Sequence, residues 1–166
     1  MKKFQISKYN PVFKTEDGKY IKDDWTSVSD IDKIFDGKLL TVDDYLDMEA
    51  KYIAIVKKVL DETESSYLKV VGLEKFDDYL DKAENIPYDN RSDEIYESLK
   101  EGKVLNLDDA LILLKLVLRN NVWCYLTNKY VTIQAGDDFY IYITLENEPK
   151  FFNTLEDDIG LFVKSI

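Results

Sequence analysis

The chain contains no histidine. That removes the commonest general base, proton shuttle and metal ligand together. It contains one cysteine, Cys124, so no intramolecular disulfide can form and the clustered Cys and His ligands of structural zinc are missing. Cys124 sits in the apolar run from Val122 to Leu126, a setting that predicts an inert buried thiol rather than a nucleophile. The six glycines stand singly, so there is neither a phosphate loop nor a dinucleotide-binding fingerprint. The longest apolar run, Ala110 to Leu118, is interrupted by Lys115 and is far shorter than the ~20 residues that cross a bilayer. Residues Met1 to Lys8 lack the apolar stretch of a secretion signal. The expectation is a cytoplasmic protein with no metal and no cofactor.

Bases are scarce relative to acids, 22 Lys and Arg against 33 Asp and Glu, for a net charge of −11. Such a surface repels nucleic acid and anionic membrane, and it speeds the encounter with a basic partner. The same charge also serves solubility. Against it stands a 45% hydrophobic fraction that includes 12 Tyr and 8 Phe, enough to fill a core. A 166-residue chain of this kind is expected to fold as one domain and to bury roughly 70% of its unfolded surface.

Along the chain, residues 1–25 read as a hairpin arm. Phe4 and Ile6 suggest a short strand, Asn10-Pro11 breaks it, and Asp17-Gly18 is a turn signal between Val12-Phe13 and Tyr20-Ile21. This arm is expected either at an edge of the main sheet or as a separate flap. Two helical hairpins follow, over 26–63 and 92–120. In the first, a hydroxyl of Thr26, Ser27 or Ser29 caps a short helix over Ile31 to Phe35 that Gly37 ends. Thr41 then caps a helix to about Thr63, whose apolar residues Val42, Tyr45, Leu46, Tyr52, Ile53, Val56, Val59 and Leu60 share one face. In the second, a short helix over Ser92 to Glu101 precedes one from Asn106 to Asn120. Between the hairpins, Tyr67 to Glu74 reads as a strand, and Phe76, Tyr79, Leu80 and Ala83 fall at helical spacing. Residues 37–46 and 102–111 echo one another, which suits either a duplicated unit or the shared demands of a glycine stop followed by a capped helix.

Residues 122–146 form a β-meander with period-two patterning. Val122, Cys124, Leu126, Ile133, Phe139, Ile141 and Ile143 form an aliphatic-rich face for the helices. Trp123, Tyr125, Tyr130, Tyr140 and Tyr142 lie on the other. For both rows to coincide, the last loop needs an odd number of residues, and Gly136-Asp137-Asp138 fits. The aromatic face is then either covered by the N-terminal arm or an interaction surface. The tail carries two signals, a helix start at Thr154 to Asp158 and a strand at Leu161 to Val163. The fold class is therefore α+β: one domain, an antiparallel sheet of four to six strands, and helices on one face.

Carboxylates remain as the only plentiful reactive groups. The adjacent pairs Asp43-Asp44 and Asp108-Asp109 have helix-capping explanations. Asp89 to Glu94 starts like a calcium loop, yet it lacks the central glycine and Lys100 holds the place of the bidentate acid. A pair of acids distant in sequence would suit a carboxylate-dependent hydrolase.

Two segments carry a family resemblance. Lys8-Tyr9-Asn10-Pro11, Asp17-Gly18-Lys19-Tyr20 and Asp24-Trp25-Thr26-Ser27, with Ser29-Asp30-Ile31, form the first. Gly136-Asp137-Asp138-Phe139-Tyr140-Ile141-Tyr142 is the second. Together they cover about a quarter of the chain, and the pattern resembles bacterial immunity proteins of polymorphic toxin and contact-dependent inhibition systems. The resemblance implies a cytoplasmic, non-catalytic binder that masks the active site of a cognate toxin, often a basic nuclease. Its expected partner-binding residues are Asp23, Asp24, Trp25, Asp137, Asp138, Tyr140 and Tyr142. The competing expectations are an acidic DNA-mimic decoy of a mobile element, with acids spaced like phosphates along one face, and the hydrolase, with two acids converging in a pocket.

Overall fold

The computed structural model describes residues 1–76 and 86–166. The strands are β1 (Lys2–Ser7), β2 (Ile34–Phe35), β3 (Lys38–Leu39), β4 (Tyr67–Lys75), β5 (Val104–Asn106), β6 (Val122–Thr127), β7 (Val131–Gly136), β8 (Tyr140–Leu145) and β9 (Phe162–Ser165). The α-helices are α1 (Val42–Glu62), α2 (Ser92–Ser98), α3 (Leu107–Leu118) and α4 (Leu155–Ile159). Seven strands form one sheet in the order β5-β4-β6-β7-β8-β1-β9, each pair antiparallel. The helices pack on one face, so the α+β class holds. The sheet exceeds the expected four to six strands because β1 and β9 both extend the meander and β5, not expected as a strand, pairs with β4 at the other edge.

Local chemistry sets the helix ends. The Thr41 hydroxyl accepts the Asp44 N–H at 3.1 Å while the Asp44 carboxylate accepts the Thr41 N–H at 3.3 Å, a reciprocal cap. The Asn106 side chain accepts the Asp109 N–H at 2.9 Å. Caps of this kind contribute about 1 kcal/mol each. Along α1, Tyr45, Tyr52, Val56, Val59 and Leu60 are all buried. They join Phe4, Ile6, Ile133, Ile141 and Ile143 of the sheet in a single core. Each such aliphatic side chain adds roughly 1.5–3 kcal/mol by leaving water.

The period-two reading of β6, β7 and β8 holds: buried and half-buried residues alternate along all three. The last loop has three residues as expected but sits one residue later. Gly136 pairs with Tyr140, leaving Asp137-Asp138-Phe139 as the loop, with Phe139 turned into the core from it. Gly136 is needed within β7 because a Cβ there would lie 2.3 Å from the Tyr142 ring. Its absence lets Tyr142 lie across the strand.

Other expectations change. No helix spans Ile31 to Phe35. Instead a 3-10 turn at Val28–Asp30 leads to the two-stranded hairpin β2–β3, and Asp36 and Gly37 form its turn with φ of 50° and 77°. Asp-Gly is the pairing that supplies two consecutive left-handed residues, and here it outweighs the capping hydroxyls. The 26–63 region is therefore one long helix preceded by a small β-hairpin. The 92–120 hairpin is present, with α2 ending at Ser98 rather than Glu101. In the N-terminal arm, β1 is an interior strand between β8 and β9, neither an edge nor part of a flap. The Asp17-Gly18 loop does close a hairpin, but a single bridge, Lys14 to Tyr20, is all its ladder. Both tail signals are realised, as α4 and β9. The helical spacing at Tyr79, Leu80 and Ala83 lies outside the described residues. The echo at 37–46 and 102–111 resolves into one local sequence of events: a left-handed glycine, a short strand, a side-chain cap and a helix. The two strands differ in placement, since β3 pairs only with β2 whereas β5 joins the main sheet.

Candidate functional site

The seven expected partner-binding residues come from two distant segments, and Tyr9 brings them together. Its hydroxyl lies 3.0 Å from the Trp25 carbonyl and 2.7 Å from the Asp138 carbonyl, bridging the two segments. Its ring packs on Tyr140 with centroids 5.3 Å apart and on Tyr20 at 4.9 Å. Burial pushes the Tyr9 hydroxyl pKa well above its ordinary value, which keeps it a donor. Tyr52, from α1, adds a second clamp: its hydroxyl accepts the Lys8 N–H at 2.7 Å and donates to the Phe139 carbonyl at 3.0 Å. These two tyrosines hold a strained turn. Asp138 and Phe139 have φ of 57° and 63°, a conformation costing non-glycine residues roughly 1–3 kcal/mol each. The clamped turn presents the carboxylates of Asp137 and Asp138 to solvent.

Trp25 is not an exposed anchor, although it lines an acidic cleft. It is only 8% exposed and packs against Tyr45 at 5.5 Å and Phe139 at 4.9 Å. On its other side stands the Lys8 ammonium, 4.1 Å from the Trp25 ring and 4.2 Å from the Tyr9 ring, with Asp24 at 2.8 Å. Burial lowers the Lys8 pKa, and Asp24 opposes that shift. The apolar area of Trp25 is worth more in this layered core than at the surface, which is why it turns inward. Asp24 is thereby partly committed to Lys8.

Asp23 and Asp24 line an open cleft of about 570 Å³ between the arm, the β2–β3 hairpin and the first turns of α1. Asp36, Asp44 and Asp47 add three further carboxylates, against the amines of Lys22, Lys38 and Lys51. Asp23 also accepts the Asp36 N–H at 2.9 Å, which ties the arm to the hairpin. Leu39 and Phe35 line the same cleft. Leu39 is 47% exposed, and its cross-strand partner Ile34 is 67% exposed. The hairpin thus presents apolar side chains beside a lining of five acids and three lysines. Reading 31–35 as a short helix hid this feature, and the Asp36-Gly37 dipeptide was the signal for it. Asp137 and Asp138 rim a second groove, of about 450 Å³, with Thr26, Asn120 and Trp123.

Tyr140 and Tyr142 lie elsewhere, on the sheet face away from the helices. The arm covers this face only at Tyr140, through Tyr9 and Lys14. The rest is half-exposed and crosses the strands in rows. One runs Val71, Tyr125, Gln134, Tyr142, Gln5, Lys164, and the next Lys69, Thr127, Thr132, Thr144, Lys3. Tyr130 is not in these rows; it sits in the β6–β7 turn. The aromatic face is accordingly bordered by lysines, and neither Tyr140 nor Tyr142 is among the residues lining the acidic cleft.

Sequence reasoning missed a buried ion pair. Glu49 of α1 and Arg119 at the end of α3 meet in two hydrogen bonds of 2.6 and 2.8 Å, each side chain 3% exposed. Arg119 also donates to the Pro87 carbonyl at 3.0 Å and lies over the Tyr88 ring. The signal was spacing: Tyr45, Glu49, Tyr52 and Val56 share one helix face, so an acid in that stripe requires a buried cation. Asp89, from the false calcium loop, pairs with Lys115 at 2.9 Å.

Cys124 is buried in the core, and that burial pushes its thiol pKa up to about 12. A thiol-reactive dye at neutral pH is expected to leave folded protein unmodified over hours and to label it within minutes in denaturant. Rapid labelling of the folded chain would contradict this placement.

Comparison with protein-family models, curated proteins and solved structures found no match to this chain. Among the described residues, no helix is long and apolar enough to cross a membrane.

Proposed function

We propose that this chain is a toxin-neutralising immunity protein that binds a basic toxin domain and masks its active site. The observation that carries the reading is the cleft in which five carboxylates, against three lysines, lie beside the apolar Leu39 and Phe35 of the β2–β3 hairpin. Acids at the rim steer a basic partner and raise its association rate. Desolvated apolar anchors such as Leu39 and Phe35 supply the energy that holds it. The rigid Asp137-Asp138 turn extends the acidic surface. A nuclease domain, whose substrate cleft carries Lys and Arg for phosphate, is the class of toxin this surface suits.

The geometry favours binding over hydrolysis. A carboxylate hydrolase needs a general acid with a raised pKa. The described carboxyls whose pKa moves, those of Asp17, Asp30, Asp44 and Glu101, all move down, mainly through hydrogen bonds they accept. Asp44 is further occupied in the helix cap, and Asp24 with Lys8. A DNA mimic needs acids spaced along one face, whereas the broadest open face here is bordered by lysines.

The test is direct. The product of the neighbouring gene, taken as the candidate toxin, is mixed with equimolar protein, and its activity is followed. Activity is expected to vanish, with the two chains eluting as one complex. Full toxin activity in excess protein, with separate elution, would sink the reading.

A further inference from the structure

We propose that the outer edge of β9 pairs antiparallel with β9 of a second copy of this chain, joining two sheets across a two-fold axis. The two ends of the seven-stranded sheet are finished differently. At one end the edge strand β5 has only three residues, and a short edge strand discourages pairing. The part of β4 that β5 leaves uncovered is occupied from within the chain. Val70 donates to the Lys103 carbonyl at 2.8 Å and accepts the Gly102 N–H at 2.9 Å. At the bulge that follows, the Gly72 and Leu73 N–H groups both donate to the Glu101 carboxylate, at 3.0 and 2.9 Å.

The β9 end has no such guard. β9 pairs with β1 alone. The Ile166 N–H donates to the Lys3 carbonyl, so by antiparallel alternation Lys164 and Phe162 also bond to β1. The N–H and C=O groups of Val163 and Ser165 then face away from the sheet, and among the described residues nothing pairs with them. Such a row is a template for an incoming strand.

The side chains select the occupant. Val163 lies on the helix side with its cross-strand partner Ile6, whereas Phe162 and Lys164 lie on the open face, opposite Ser7 and Gln5. In the symmetric register centred on Val163, this residue meets its own copy in a hydrogen-bonded pair. Lys164 then stands directly opposite Phe162 of the second copy, twice by symmetry, in the non-hydrogen-bonded positions where side chains come closest. An ammonium against an aromatic ring is a favourable pair. The half-buried Val163 and Phe162 also leave water. Moving the two-fold to Lys164 would set ammonium against ammonium, which singles out the register on Val163. The net charge of −11 opposes bringing two copies together, so association is expected to tighten as salt screens it. A partner held there by opposite charge would show the reverse. This edge lies apart from the acidic cleft and does not depend on the toxin reading.

The test is sedimentation equilibrium of the full chain, from micromolar to millimolar concentration at low and high salt, with amide hydrogen exchange alongside. A reversible monomer–dimer equilibrium is expected, with the Val163 and Ser165 amides protected in the dimer alone. Val163→Pro removes an outward N–H and no bond to β1, so it should stay folded and monomeric. Phe162→Lys sets lysine against lysine and should weaken the dimer roughly tenfold. Adding Lys164→Glu to it creates an opposite-charge pair in this register and should restore the affinity. That comparison decides the matter whether or not the proline variant folds. A chain that stays monomeric throughout, a dimer that survives Val163→Pro, weakening by salt, or no recovery in the double variant would each overturn the assignment.

Discussion

Replacing Arg119 with methionine is expected to destabilise the protein by about 3–5 kcal/mol, because it leaves the Glu49 carboxylate buried and unpaired. For a chain of this size that corresponds to a fall in melting temperature of roughly 6–20 °C. The Pro87 carbonyl would lose its donor as well. The double variant Glu49→Met/Arg119→Met should recover most of the loss, since two apolar side chains of similar volume can replace a buried pair. Urea unfolding of the parent, the single and the double variant measures both effects. A single variant within ~0.5 kcal/mol of the parent would mean that apolar packing alone holds α1 to α3. A double variant as weak as the single would show that the pair itself, and not the orphaned charge, sets the cost.

Trp25→Ala carries the second large effect, also about 3–5 kcal/mol, as for a large aromatic removed from a core. Its ring is shared by Tyr45, Phe139 and the Lys8 ammonium, so the cavity would also unseat a buried cation. Trp123, half-buried on the open face beside Tyr125, provides the comparison. Trp123→Ala is expected to cost less than half as much. Equal losses, or a Trp25→Ala protein of parental stability that fails only to bind a partner, would return Trp25 to the surface role its sequence context suggests.

The helices and the meander were legible in the sequence because their signals are local and mutually consistent. Thr41 and Asn106 cap, acids fill the first turns, and β6 to β8 alternate without exception. The region from Ser27 to Leu40 was misread because capping hydroxyls and an Asp-Gly turn competed within a few residues, and only tertiary placement decides such contests. Trp25 was misassigned for a different reason. Its neighbours Asp23 and Asp24 are polar, and nothing local announces that Lys8 and Tyr9, 16 or 17 positions earlier, enclose it. The separation of the acidic cleft from Tyr140 and Tyr142 was equally invisible. Adjacent residues in a strand face opposite ways, and the Asp137-Asp138 turn lies at the end of the sheet rather than on its face. Glu49 alone was available from spacing and passed over.

The central claim is that the acidic cleft captures a basic toxin domain. It is tested most directly by an inhibition titration with the variant Asp23→Asn/Asp36→Asn/Asp47→Asn, which leaves the Asp24–Lys8 pair and the Asp44 cap intact. The variant is expected to melt within a few degrees of the parent and to require at least roughly tenfold more protein for half-inhibition, with the gap closing at high salt. Inhibition equal to the parent at every ionic strength would contradict the claim.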